Sequence, residues 1–224
     1  MINEKWLNLF IIGPSGCGKS TQAKLIAEKY RLTHLSMGQL LRDEMEVGSS
    51  LGQKVKTFVD SGIWVPDDLI FDILTPHLAQ LNHQSFIVDG FPRILNQAKY
   101  IVYYLDQQKQ PLSLLIHLDV TFEEILARRA KMGAGFQPQN RTDNTPQAVK
   151  QRQQSYLETV NPIKDYFRSL RKLFDVNGNR PIEPIFEDIC QTIDNIQEKD
   201  EEIEILDEET SKRVVASMED LNNP

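Results

Sequence analysis

Leu7-Asn8-Leu9-Phe10-Ile11-Ile12, followed at once by Gly13-Pro14-Ser15-Gly16-Cys17-Gly18-Lys19-Ser20, is the stretch on which the fold turns. The first six residues are nearly all apolar, with paired isoleucines, and read as a strand buried on both faces. From Lys19 to about Tyr30 the residues read as a helix. Between the two, the glycines fit G-x-x-x-x-G-K-[ST] in the strand–turn–helix context that this pattern requires. Glycines there let the backbone curl into a nest of N–H groups, and the helix adds its positive N-terminal end. Such a nest binds phosphate, with Lys19 reaching the β- and γ-phosphates and the Ser20 or Thr21 hydroxyl placed near Mg²⁺. Cys17 reads as a small residue facing away from the phosphates.

Outward from this loop, apolar runs alternate with segments of helical period, the pattern of a parallel sheet covered by helices. A short strand is expected at Thr33–Leu35, and two or three helices fill 37–81 with no strand between them. Ser85-Phe-Ile-Val-Asp89 and the run 112–119 are further buried strands, separated by a helix near 94–108. A helix at 121–131 leads into a Gly/Pro/Gln/Asn loop without periodicity. A long helical stretch at about 146–171 has Asn161-Pro162 as an expected kink or break. Residues 172–176 are the fifth strand, and Pro181 starts a closing helix. The fold class is therefore α/β.

Forty per cent of the 224 residues are hydrophobic and 25% are charged, an ordinary soluble composition. No run approaches the roughly 18 to 20 apolar residues of a membrane span. The first residues lack the basic start and cleavage site of a secretory signal, and Cys17 and Cys190 offer no disulfide framework or metal-ligand spacing. The expected compartment is the cytoplasm. The net charge of −7 is local: from Glu198 onward there are 10 acidic and 3 basic residues, and the other 197 residues carry 22 of each. The body is formally neutral, with no basic stripe for a nucleic acid.

Asp89-Gly90-Phe91-Pro92-Arg93 ends the third strand. A carboxylate at the C-terminal end of a parallel strand, beside the phosphate loop, sits where such sheets bind ligands. Asp89 can hold Mg²⁺ there, directly or through water, and Arg93 offers a planar fork to phosphate oxygens. The loop with Thr21-Gln-Ala23 after it, Leu35-Ser-Met-Gly-Gln-Leu-Leu-Arg42, the Asp89–Arg93 segment with Gln97, and Arg141-Thr-Asp143 occur in that order. Together they resemble the adenylate kinase and UMP/CMP kinase family over about residues 5 to 195.

The resemblance implies a P-loop three-layer sandwich with a five-stranded parallel sheet, a helical monophosphate-binding insertion at 36–66 and a short lid at 132–143. The kinase domain is expected at 1–197, with an acidic tail at 198–224. The implied reaction moves the γ-phosphoryl group of ATP, with Mg²⁺, to a nucleoside monophosphate, most simply AMP. Gly13, Ser15, Gly16, Cys17, Gly18, Lys19, Ser20, Thr21 and Arg128 are implied for ATP. Met37, Arg42, Gly90, Arg93, Gln97, Arg141 and Arg152 are implied for the monophosphate, Gln97 reading its base. Lys19, Arg93, Arg128, Arg141 and Arg152 are the implied catalytic set, and Ser20 with Asp89 the metal side. Asp143 matches a lid carboxylate. The lid has no cysteine, so no zinc is expected, and the implied state is a monomer with no membrane or nucleic-acid partner. So many arginines follow from charge: two nucleotides crowd several negative charges into one cleft, and phosphoryl transfer runs on positioning and electrostatics.

Three positions depart from the family pattern. Met37 stands for a threonine, Gln39 for an aspartate, and Met132 for an arginine before the lid, where Lys131 shares enough of the helix face to compensate. The first two leave UMP or CMP open as acceptor. Met132 and the tail leave open a weakly active nucleotide-binding regulator. The four histidines have no ligand spacing and read as core or surface residues, and Tyr103-Tyr104 reads as packing. The tail reads as a disordered, solubilising segment, or alternatively as a docking helix for a protein. Because all the net charge lies beyond Gln197, truncation there is expected to leave turnover and melting temperature largely unchanged. A large drop in either would show that the tail packs on the body.

Overall fold

The computed structural model describes residues 6–60, 65–131 and 146–198. The chain divides into two compact units, Met1–Phe186 and Glu187–Pro224. In the second, the described residues 187–198 are helical. The acidic tail beyond them, like the lid, lies outside the described residues. Among those that are described, no helix is long and apolar enough to cross a membrane.

The first unit runs β1 (Asn8–Ile12), α1 (Lys19–Tyr30), β2 (Thr33–Ser36), α2 (Met37–Val47), α3 (Ser50–Asp60), α4 (Asp67–Gln80), β3 (Phe86–Asp89), α5 (Leu95–Gln107), β4 (Leu114–Asp119), α6 (Phe122–Lys131), α7 (Pro146–Ser169) and β5 (Leu173–Asn177). The sheet has the order β2-β3-β1-β4-β5, and every pair in it is parallel. β1 is central and buried along its whole length, which explains why it is apolar on both faces rather than alternating. Its one polar residue, Asn8, donates its amide to the carbonyls of Gln110 (3.1 Å) and Pro111 (3.2 Å). The chain leaves β1 on one side for β2 and β3 and on the other for β4 and β5, so the order reverses at β1. Ligands of open parallel sheets bind at the C-terminal ends of strands at such a reversal.

An aromatic chain ties the sheet to its helices. Phe10 of β1 meets Phe86 of β3 edge-on at 6.0 Å, and Phe91 lies 6.0 Å from Phe10 and 6.3 Å from Phe71 of α4. Phe71 stacks at 3.7 Å on Tyr100 of α5. Each fully buried ring in this chain is worth about 1.5–3 kcal/mol of transfer free energy. Tyr104 joins this packing and donates its hydroxyl to Thr75 O at 3.3 Å, whereas its neighbour Tyr103 is exposed.

Of the kink or break expected at Asn161-Pro162, the break does not occur: α7 is one helix from Pro146 to Ser169, with Pro162 inside it. Proline costs a helix interior roughly 3 kcal/mol. Val160, Ile163 and Phe167 flank it at helical spacing and are all buried, which offsets that cost. The C-terminal half of α7 is also held by charge. Asp175 of β5 accepts from Lys164 Nζ at 2.9 Å and Arg168 Nη2 at 3.4 Å, and bonds His117 Nδ1 of β4 at 2.7 Å. Tyr156 of α7 stacks on the His117 ring at 6.2 Å.

Burial holds the His117 imidazole below its ordinary pKa, outweighing the attraction of Asp175. Asp175 is raised by its partial burial but drawn down further by Lys164 and His117, and ends below the usual carboxylate value. A histidine depressed in the folded state binds its proton more readily unfolded, so its contribution is present above about pH 6.5 and lost as the pH falls below it. His34 is depressed by burial in the same sense. Melting temperature is therefore expected to fall between pH 7 and 5.5, and less steeply in His117→Phe, as scanning calorimetry at each pH would show. Asp175→Ala orphans the buried His117 donor and is expected to cost about 1–3 kcal/mol in denaturant unfolding at pH 7.

Candidate active site

The phosphate loop follows directly from the end of β1. Gly13 sits where a Cβ would lie 2.7 Å from Cys17 Sγ and 3.0 Å from Leu118 O, so only glycine fits. The Cys17 thiol accordingly packs inward, fully buried, and burial raises its pKa. Gly18 caps α1 at φ 101°, a left-handed conformation that L side chains rarely adopt, and thereby turns the chain into the helix. Lys19, first residue of α1, folds back to Pro14 O at 3.3 Å.

Next to the loop, parallel pairing sets Ile11 of β1 opposite Asp89 of β3. Asp89 is 3% exposed. Its Oδ2 accepts from Ser20 Oγ at 2.5 Å, and Oδ1 has no hydrogen-bond partner although buried. A hydroxyl and a carboxylate with a spare oxygen at the head of a phosphate loop are hard oxygen donors, the set that suits Mg²⁺. His34 Nε2, from β2, stands 4.0 Å from Asp89 Oδ2. From sequence alone this histidine reads as core or surface. Strand register brings it near: Ser36 pairs with Asp89, leaving His34 diagonal to it.

A cavity of about 350 Å³ opens over these groups. Gly13, Ser15, Gly16, Lys19 and Ser20 line one side, and Arg42, Gly90, Arg93 and Arg152 line others, with Asp89 at the strand ends. Residues from four separate segments of sequence thus meet in one cleft. Arg93 Nε donates to Gly90 O at 3.2 Å. Arg42 Nη2 donates to Gln39 Oε1 at 2.6 Å, and Gln39 Nε2 donates to Asp43 Oδ1 at 2.6 Å. Gln39 lines the cleft beside Arg42.

Beside the main cavity lies a recess of about 30 Å³ whose lining includes Met37, Leu41, Arg93 and Gln97. Met37 is a buried wall of this recess. Gln97 Oε1 accepts the Arg93 backbone N–H at 2.9 Å, and its Nε2 donates to Asp67 Oδ1 at 2.8 Å.

Five residues expected at the site either line neither cavity (Cys17, Gly18, Thr21 and Arg128) or lie outside the described residues (Arg141). Thr21 is exposed and lines neither cavity. Arg128 lines neither as well: its guanidinium donates to Cys17 O at 2.6 Å and Arg180 O at 3.2 Å, also to Gly178 O, and pairs with Glu124 at 2.8 Å. It braces the phosphate loop from behind against the turn after β5. Arg141, with Met132 and Asp143, falls outside the described residues; Lys131 ends α6, exposed.

Tyr156, Thr159 and Ile163 also line the main cavity and were not foreseen. With Arg152 they fall at spacings of four, three and four, one stripe of α7. Given Arg152 as an anchor, that stripe was readable from sequence. Burial pushes the Tyr156 hydroxyl well above its ordinary pKa, so it stays protonated.

Comparison with known proteins agrees with the geometry. The family model described as adenylate kinase matches residues 11–172. An adenylate kinase of Bacteroides fragilis is 36% identical over 191 residues, covering 85% of this chain and all of that protein. One from Bacteroides thetaiotaomicron is 34% identical with the same coverage. An adenylate kinase of Archaeoglobus fulgidus is 31% identical over 216 aligned positions, again covering 85% of this chain and all of its own length. The chain belongs to the adenylate kinase family and is a phosphotransferase of the nucleoside-monophosphate kinase type.

Proposed function

We propose that the reaction is transfer of the γ-phosphoryl group of ATP to AMP, giving two ADP. The observation that carries this reading is the single cavity in which the phosphate loop faces Arg42, Arg93 and Arg152, with the Gln97 recess opening beside it. One anionic group rests on the loop, another is gripped by arginines, and the small recess takes only the edge of a base. In the transfer, an oxygen of the acceptor phosphate bonds to the γ-phosphorus as the bond to the ADP oxygen breaks. No general base is needed, because that oxygen is already anionic. Lys19 and the arginines hold the phosphates in line and offset the charge on the transferred group. Arg141 joins them by resemblance. Ser20 and Asp89 would hold Mg²⁺, directly or through its waters, and the ion would supply Lewis-acid charge neutralisation at the phosphates.

The departures at positions 37 and 39 are compatible with AMP. Gln39 spends its amide on Arg42 and Asp43, so this change bears on the phosphate grip and leaves the base untouched. Met37 keeps the recess wall apolar, which suits a flat purine face. Coupled turnover with ATP·Mg²⁺ against AMP, dAMP, UMP, CMP and GMP tests the reading, with AMP expected to have the highest kcat/KM. Preference for UMP or CMP would overturn AMP as acceptor. Nucleotide binding without turnover on any of them would make the chain a regulator.

Lys19→Met is expected to lower turnover by about 10²–10³-fold, the scale of losing one preorganised transition-state donor, with the thermal melt unchanged. Arg42→Ala and Arg93→Ala are expected to raise the acceptor KM more than about tenfold, with the ATP KM within about threefold of wild type. Equal losses for both nucleotides would remove these arginines from the acceptor side.

A further inference from the structure

We propose that Asp67, in the first turn of α4, is a specificity-determining positioning residue. It holds the Gln97 amide in one orientation, so that the recess distinguishes bases carrying an amino group from those carrying a keto group at the same ring position. The sense of the preference, amino over keto, rests on the acceptor reading above.

Gln97 is 5% exposed, and a side-chain amide that buried must satisfy its hydrogen bonds within the protein. An amide is nearly symmetric in shape but not in chemistry, so its neighbours decide which end is oxygen. Here the Arg93 backbone N–H, a donor only, faces Oε1 at 2.9 Å, and the Asp67 carboxylate, an acceptor, faces Nε2 at 2.8 Å. Rotating the amide by half a turn would set its oxygen against the carboxylate and its NH₂ against an N–H. Both bonds would be replaced by like facing like.

Two bonds leave the amide with one N–H and one oxygen lone pair that a base edge can use. Met37, Leu41, Val65, Ile70 and Phe91 make the rest of the recess apolar except for Arg93. The orientation of Gln97 therefore sets the order of donor and acceptor that the recess can present to a base. In a 6-aminopurine a ring-nitrogen acceptor stands beside an amino donor; in a 6-oxopurine a ring N–H donor stands beside a carbonyl acceptor. The two orders are reversed, as they are between cytosine and uracil. A locked amide pairs with one order and leaves buried groups unpaired with the other, a mismatch that binding sites reject strongly. Asp67 thus acts through Gln97 without lining the recess itself.

A purely structural role for Asp67 is also available, since a carboxylate in the first turn suits the positive end of α4. Asp68 shares that turn and is exposed, which makes it the internal control. The experiment measures kcat/KM for AMP and for IMP, which differ only in this amino and keto group, in wild type, Asp67→Asn, Asp67→Ala and Asp68→Asn. Wild type is expected to favour AMP by at least about 100-fold; sites built around such hydrogen bonds reach about 10⁴–10⁵-fold. Both Asp67 variants are expected to reduce the AMP/IMP ratio at least about tenfold, with the ATP KM unchanged, and Asp68→Asn to keep the wild-type ratio. If wild type prefers pyrimidines, the acceptor reading fails, and the lock is read instead from the CMP/UMP ratio, which must collapse in the same way. A ratio that stays within about twofold of wild type in both Asp67 variants, or falls equally in Asp68→Asn, overturns the proposal.

Discussion

One hydrogen bond, from the backbone N–H of Gly90 to the carbonyl of Ile11 at 3.0 Å, marks the constraint on which the site depends. It extends the parallel pairing of β1 with β3 by one residue past the strand end. Beyond it, β1 becomes the phosphate loop and β3 becomes the Asp89–Arg93 segment. Had the register slipped by one, Asp89 would face the opposite side of the sheet and Ser20 would lose its carboxylate partner. The strength of this constraint comes from burial. β1 is enclosed on both faces, so any shift would cost the packing of Phe10 with Phe86 and Phe91 as well as the ladder itself.

From that fixed edge, the remaining cations are brought in by elements with weaker individual ties. Arg42 rides on α2, whose position follows from β2 pairing with β3. Arg152 rides on α7, and the C-terminal half of α7 is anchored where Asp175 gathers Lys164, Arg168 and His117. A stack between Tyr156 and His117 connects that anchor to the cavity wall. Gathering positive side chains around a cleft costs folding energy through their repulsion, and a neutral body with separated anchoring pairs limits that cost. The anionic substrates supply the missing counter-charge.

Much of this was legible in the residues alone. The phosphate loop, the five strands and the Asp89–Arg93 segment are local patterns: apolar runs, glycine spacing and a strand-end carboxylate each constrain only their neighbours in sequence. Arg128 was harder to read. Its place in the family motif pointed to the donor nucleotide; its hydrogen bonds to the backbone carbonyls of Cys17, Gly178 and Arg180, each fifty or more residues away from it in sequence, are invisible to any pattern of side chains. His34 and His117 also passed as bland, because what distinguishes them is the strand pairing that sets each near an aspartate.

The sequence by itself determined the fold class, the nucleotide-phosphate chemistry and the identity of most residues that meet in the cleft, since each of these rests on short-range periodicity and on which side chains can bind phosphate. Tertiary structure decided what those side chains do with their remaining bonds. Proline at 162 stays in a helix because buried neighbours on α7 outweigh its lost hydrogen bond. The Gln39 amide is taken up by Arg42 and Asp43. Gln97 has one orientation because residues thirty positions before it and four positions before it press opposite demands on its two ends. Hydrogen-bond satisfaction is a property of neighbours in space, and only the folded chain specifies who those neighbours are.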